Sequence, residues 1–162
     1  MNWTKRAILS AMACGLIAAA PGSSDLSKLT ILRDVKPGLW THSFTTIPKN
    51  PAAPDRQERA CISAAQLQAM IRESLAAGPS EQICPISVGF DSFSKASFTL
   101  NCPAIRIPEL GVTAPAASMP GEIVRSGREE HWVVSVKTPA VPGKVPAATW
   151  RHDYRRLGDC PK

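Results

Sequence analysis

Apolar and polar residues alternate with a period of two over much of this chain, and one stretch switches to the helical period. The clearest alternation runs from Cys84 to Cys102, CPISVGFDSFSKASFTLNC. Folded back around Ser92-Phe93-Ser94, it pairs Cys84 with Cys102, Ile86 with Leu100, Val88 with Phe98 and Phe90 with Ala96 on one apolar face. Ser87 with Thr99, Gly89 with Ser97 and Asp91 with Lys95 then fall on the polar face. A slip of one residue would exchange the two faces, so the pattern specifies the register. Cysteines directly opposed in such a ladder lie within the span of a disulfide. The loop lacks the glycine that three-residue hairpin loops usually carry.

Four further strands are predicted. Lys36-Pro37-Gly38 turns the chain into Leu39 to Ile47, with Trp40, His42, Phe44 and Thr46 on one face. His42, among apolar neighbours, reads as a hydrogen-bonded structural histidine. Gly121 to Arg125 and Glu130 to Lys137 form a second hairpin about Ser126-Gly127, with Trp132, Val134 and Val136 on one face of its second arm. The last strand, about Ala147 to Leu157, places Trp150, His152, Tyr154 and Arg156 on one face against Arg151, Asp153 and Arg155 on the other. Glu129, Glu130 and His131 read as solvated residues beside the turn.

The helix is predicted over residues 63–77. Ser63 with Gln66 three residues on is a capping box, Ile62 can staple to Leu67, and Leu67, Met70, Ile71 and Leu75 share a face before Gly78-Pro79. Pro48, Pro51 and Pro54 make Pro48 to Arg59 an exposed connection rather than part of a ladder. Pro103 to Pro120 is a long proline-dotted connection whose Ile105, Ile107, Leu110 and Val112 form a short strand or lie over an apolar surface. Pro139 to Pro146 is a third. These elements predict an α+β domain, mostly antiparallel β: a curved meander sheet of about six strands, open or closed into a partial barrel, with one helix packed against it.

The amino terminus changes the picture. Lys5 and Arg6, the apolar run Ala7 to Ala20 and the small residues that follow make residues 1–20 a secretory signal, cut somewhere in 18–24, and too short for a membrane span. A lipoprotein signal with Cys14 lipidated is the alternative. Residues 21–36 are a lead-in whose Leu26, Leu29 and Ile31 dock on a single domain of residues 37–162. The expected compartment is the periplasm or the exterior, where thiols oxidise. Four cysteines remain, and with Cys84–Cys102 tying the hairpin, Cys61–Cys160 follows. Removing residues 1–20 takes away Lys5 and Arg6 and no acid, so the net charge falls from +6 to +4. The basic residues are interspersed with acids, which argues against nucleic acid as a partner. There is no Cys-x-x-Cys pair or cysteine–histidine cluster of ligand spacing, so neither zinc nor any other cofactor is expected.

Four landmarks together resemble the bacterial domain-of-unknown-function family 3617. They are Lys36-Pro37-Gly38-Leu39-Trp40, Cys61-Ile62-Ser63, the pair Cys84 and Cys102, and Arg156-Leu157-Gly158-Asp159-Cys160. The resemblance spans about Leu32 to Cys160 and implies a small exported protein of a Gram-negative envelope, without implying an activity. The proline-dotted Pro103–Pro120 segment departs from that family's pattern.

No nucleophile elbow, zinc-protease helix or phosphate-binding loop is present. The leading expectation is a non-catalytic domain holding an apolar or amphipathic small molecule between helix and sheet. Its candidate residues are Trp40, Phe44, Trp132, Trp150, His152, Tyr154 and Arg156. The alternatives are an envelope protein-interaction module and a small enzyme centred on His152, Tyr154 and Arg156.

Overall fold

The computed structural model describes residues 28–51, 53–76, 84–107, 111–126 and 130–161. The expected signal segment with Cys14, Leu26, Gly78-Pro79, Leu110, Gly127 and Glu129 lie outside these residues. The described part is an open, wholly antiparallel seven-stranded sheet with one helix on one face, together with a separate two-stranded ribbon. The strands are β1 (Gly38–Ile47), β2 (Arg56–Ile62), β3 (Ile86–Asp91), β4 (Lys95–Cys102), β5 (Ile105–Ile107), β6 (Val112–Ala114), β7 (Ala117–Ser126), β8 (His131–Thr138) and β9 (Ala148–Gly158), and the helix is α1 (Ala64–Ala76).

The sheet order is β2-β1-β9-β8-β7-β4-β3. Two features differ from the expected meander of six strands. First, the last strand returns to lie beside the first, with Thr41 opposite Arg155 and Phe44 opposite His152. Second, β2 is a seventh strand carved from the expected connection, pairing Phe44 with Arg56 through Gly38 with Ile62. The prolines end at Pro54, so nothing after it prevents pairing. The segment Arg56-Gln57-Glu58-Arg59 lacks alternation because it is an exposed edge strand, where charged residues protect the open side. Because β2 and β3 form the two edges, the sheet is not a barrel.

The hairpin β3–β4 has the expected pairing from Ile86–Leu100 to Val88–Phe98 and then shifts, opposing Phe90 to Ser97 and Asp91 to Ala96. The irregularity falls at Gly89 and reverses the expected faces beyond it. Phe90 becomes solvent-exposed. Asp91 turns inward, where its carboxylate accepts the amides of Thr30 at 2.6 Å and Ile31 at 3.2 Å. The turn needs no glycine, since the Ser92 hydroxyl accepts the Lys95 amide. Strand β7 begins four residues earlier than predicted and carries Pro120 within it. That proline lies where β7 has β4 on one side and has not yet met β8, so its missing donor leaves no ladder bond unmade.

The core lies between the inner face of the sheet and α1. Trp40, Phe98, Leu100, Ile123, Trp132, Val134 and Tyr154 come from the sheet, and Leu67, Ile71 and Leu75 from the helix. Burying each such side chain contributes about 1.5–3 kcal/mol. The capping box forms as predicted, with the Ser63 amide donating to Gln66 Oε1 and the Gln66 amide to Ser63 Oγ. The lead-in docks firmly: Leu29, Ile31, Leu32 and Val35 are buried. Trp132 Nε1 donates to Ile31 O, and Gln68 Nε2 donates to Leu32 O. Both disulfides pair as expected, with Cα separations of 5.7 Å for Cys61–Cys160 and 4.5 Å for Cys84–Cys102. Among the described residues no helix is long and apolar enough to cross a membrane.

Candidate functional site

The helix covers only part of the sheet's inner face. Toward the Ile47 end of β1 and the Ala148 end of β9, the inner face is left over, and two adjoining hollows occupy it. The deeper is an apolar cavity of about 230 Å³ lined by Leu75, Leu100, Met119, Val136, Ala148 and Trp150 among others. Pro103, Pro115 and the Pro139–Val145 hook form its rim, so the proline-rich connections supply its outer walls. The hook is a tight turn in which the amides of Lys144 and Val145 both donate to Val141 O.

The second hollow is a groove of about 490 Å³ that shares Ala53, Ser74 and Trp150 with the cavity. Strand β1 supplies His42 and Phe44, β9 supplies Trp150, His152 and Tyr154, β2 supplies Arg56 and Glu58, and α1 supplies Met70, Glu73 and Ser74. Register brings them together: His42 lies opposite Tyr154 and Glu58, Phe44 opposite His152 and Arg56, and Thr46 opposite Trp150.

Its centre is a row of three rings. His42 stacks on Tyr154 with centroids 4.4 Å apart and planes at 8°. On its other side, His42 Nε2 and His152 Nδ1 are 3.0 Å apart, with ring planes only 2° from parallel and centroids 5.3 Å apart. A centroid separation so much longer than the N–N distance places the imidazoles edge to edge, joined by an in-plane hydrogen bond. That bond needs one donor and one acceptor, so it forms when at least one of the two rings is neutral. Burial lowers the pKa of His42, with Glu58 and Asp153 pulling the other way. Burial and the neighbouring His42 push His152 down to about 4. Burial raises Tyr154 to about 12, a Ser74 hydrogen bond opposing this and Glu73 adding to it. The Tyr154 hydroxyl donates to Met70 O at 3.3 Å.

A pH dependence follows. Between pH 6.5 and about 4 the unfolded chain holds a proton on His152 that the folded chain does not, so stability rises with pH through that window and falls on acidification. The urea midpoint is expected to fall between pH 7 and pH 4.5. In the double variant His42→Gln/His152→Gln it should fall clearly less. An equal drop in both proteins would place the acid sensitivity elsewhere.

Of the residues singled out by sequence, Phe44, Trp150, His152 and Tyr154 line the groove. Trp40 and Trp132 do not: they pack against each other in the core with centroids 5.4 Å apart, both nearly inaccessible to solvent. Trp40 Nε1 has no hydrogen-bond partner among the described residues. Arg156 also lies elsewhere. Its guanidinium donates to Pro37 O, pairs with Glu130 at 3.2 Å and contacts Asp159. Glu130 is therefore not the solvated residue expected, because it holds Arg156 and Lys36 together, the latter at 2.7 Å. His131 bonds Asp153 at 2.8 Å, away from the groove.

Sequence reasoning missed His42 as a site residue and missed Arg56, Glu58 and Glu73 entirely. His42 is hydrogen-bonded, as expected of a structural histidine, but to a second histidine. The available signal was that His42 and His152 both alternate with aromatic residues on inward faces. No pattern could pair the two strands, which stand 110 residues apart.

Fold and site together define an antiparallel α+β domain with a cleft left uncovered by its single helix. Comparison with protein families, with characterised proteins and with solved structures finds no match.

Proposed function

We propose that this chain is an exported, disulfide-bonded domain of the bacterial envelope that binds an amphipathic small molecule without transforming it. The observation that carries this reading is an apolar cavity lying beside a groove lined by charged and aromatic residues, the two sharing Ala53, Ser74 and Trp150 in their linings. Such a cleft suits a ligand with an apolar tail and a polar head. Non-catalytic binding is favoured over acid–base chemistry because Nε2 of His42 and Nδ1 of His152 face each other, which occupies one nitrogen of each ring. The two oxidised cysteine pairs fit an exported protein.

Membership of family 3617 belongs to the same proposal. It rests on the four sequence landmarks, three of which, Lys36–Trp40, Cys61–Ser63 and Arg156–Cys160, lie at one corner of the sheet.

The test is a tryptophan-fluorescence titration with 1-octanol, in which Trp150 is the one tryptophan of the cleft among the described residues. Saturable binding is expected in the native protein. Ala148→Phe, which fills the cavity wall, should weaken it about tenfold, the equivalent of about 1.4 kcal/mol, with thermal stability unchanged or raised. Absence of saturable binding, or equal affinity in the filled variant, would refute the reading.

A further inference from the structure

The binding reading leaves the ligand's polar end undefined, and the walls of the groove constrain it. Carboxylates from two different elements line the groove that holds the His42–Tyr154 stack. Glu58, from edge strand β2, acts electrostatically on His42, and Glu73, from α1, acts on Tyr154. Neither carboxylate has an ion-pair partner among the described residues, although the chain as a whole is basic. The partly exposed rings beside them are those of His42, His152, Trp150 and Phe44, the last set edge-on to Trp150 at 6.3 Å, while Tyr154, stacked against His42, is nearly inaccessible to solvent. The faces of Trp150 and Phe44 attract cations and offer nothing to an anion.

The histidines do not counter this negative character, since each is held below its ordinary pKa. Arg56 offsets only one of the two carboxylates. The groove lining therefore carries one net negative charge at neutral pH.

Resting on the binding function proposed above, we infer that the groove receives a cationic head group, an ammonium or alkylated ammonium, and that the cognate ligand class is a cationic amphiphile whose alkyl part enters the adjoining cavity. An ammonium in the groove shares it with Trp150, Glu58 and Glu73, and its tail enters the adjoining apolar hollow beside Trp150. A fatty carboxylate would bring its charge into a lining of two carboxylates and one guanidinium, where the net like charge opposes it.

The experiment compares octyltrimethylammonium, octanoate and 1-octanol by calorimetry on the native disulfide-bonded protein at pH 7.5. The cationic compound is expected to bind about tenfold more tightly than octanoate. In Glu58→Gln/Glu73→Gln that preference should shrink at least several-fold, with 1-octanol affinity unchanged as the check that the cleft is intact. Octanoate binding as tightly as the ammonium, or a preference that survives the double substitution, would overturn the inference while leaving the binding function standing. If none of the three compounds binds, both are overturned.

Discussion

Replacing Cys61 and Cys160 together by serine is expected to lower the melting temperature by about 10–15 °C, the largest loss any substitution outside the core should produce. The two cysteines stand 99 residues apart, so their bond closes most of the domain into one loop. In the chain-entropy view a closure of that length is worth about 4–5 kcal/mol. The native contacts add to this. Cys61 lies near the end of edge strand β2, two residues before Ser63, which caps α1, and Cys160 follows the end of β9. The bridge thus ties the outermost strand across β1 to the last strand, and without it β2 is held to the sheet on one side only. Thermal unfolding by circular dichroism, compared between the double variant and the reduced native protein, measures the effect. The two should agree within a few degrees once the Cys84–Cys102 contribution is removed through Cys84→Ser/Cys102→Ser controls. A loss below about 3 °C would mean that the β1–β2 ladder carries the edge unaided.

Gly38→Ala should be nearly as damaging, at about 2–4 kcal/mol. Gly38 has φ 151°, and a Cβ there would overlap the carbonyl oxygen of Gly158 and approach Arg156 Nε at 2.7 Å. The obstacle is backbone of β9 rather than the end of a flexible side chain, so relief requires β1 and β9 to separate where their register shifts, between Leu39 and Trp40. Gly158→Ala supplies the control. Its φ of 147° is equally unfavourable for alanine, but a Cβ there meets nothing within 4 Å. The difference between the two variants in chemical denaturation therefore isolates the close approach. Equal losses would show that backbone conformation alone matters at this corner.

That corner shows how far the sequence reaches. Alternation placed Trp40, His42, Phe44 and Thr46 on one face of β1, and Trp150, His152, Tyr154 and Arg156 on one face of β9, because a period of two is a local property of extended chain. The capping box of Ser63 and Gln66, the apolar stripe of α1 and the opposed Cys84 and Cys102 were legible for the same reason, since each involves residues a few positions apart or one tight turn. With export expected, the parity of the cysteines then paired Cys61 with Cys160.

What alternation cannot carry is the choice of neighbour between strands far apart in the chain. That β9 pairs with β1, and that a polar segment after Pro54 becomes edge strand β2, depend on burial summed over the whole sheet. The same choice decides the site. It seats His42 against His152 and Tyr154, brings Glu58 and Glu73 into the lining of one groove, and separates Arg156 into the corner with Glu130 and Pro37. The shift at Gly89, which turned Phe90 outward and Asp91 inward, is equally a tertiary matter. Asp91 faces in because the lead-in turn at Thr30 and Ile31 presents two amides that need an acceptor. The sequence by itself determined the elements and their faces, whereas the cleft exists only because one short helix is laid across a sheet too wide for it to cover.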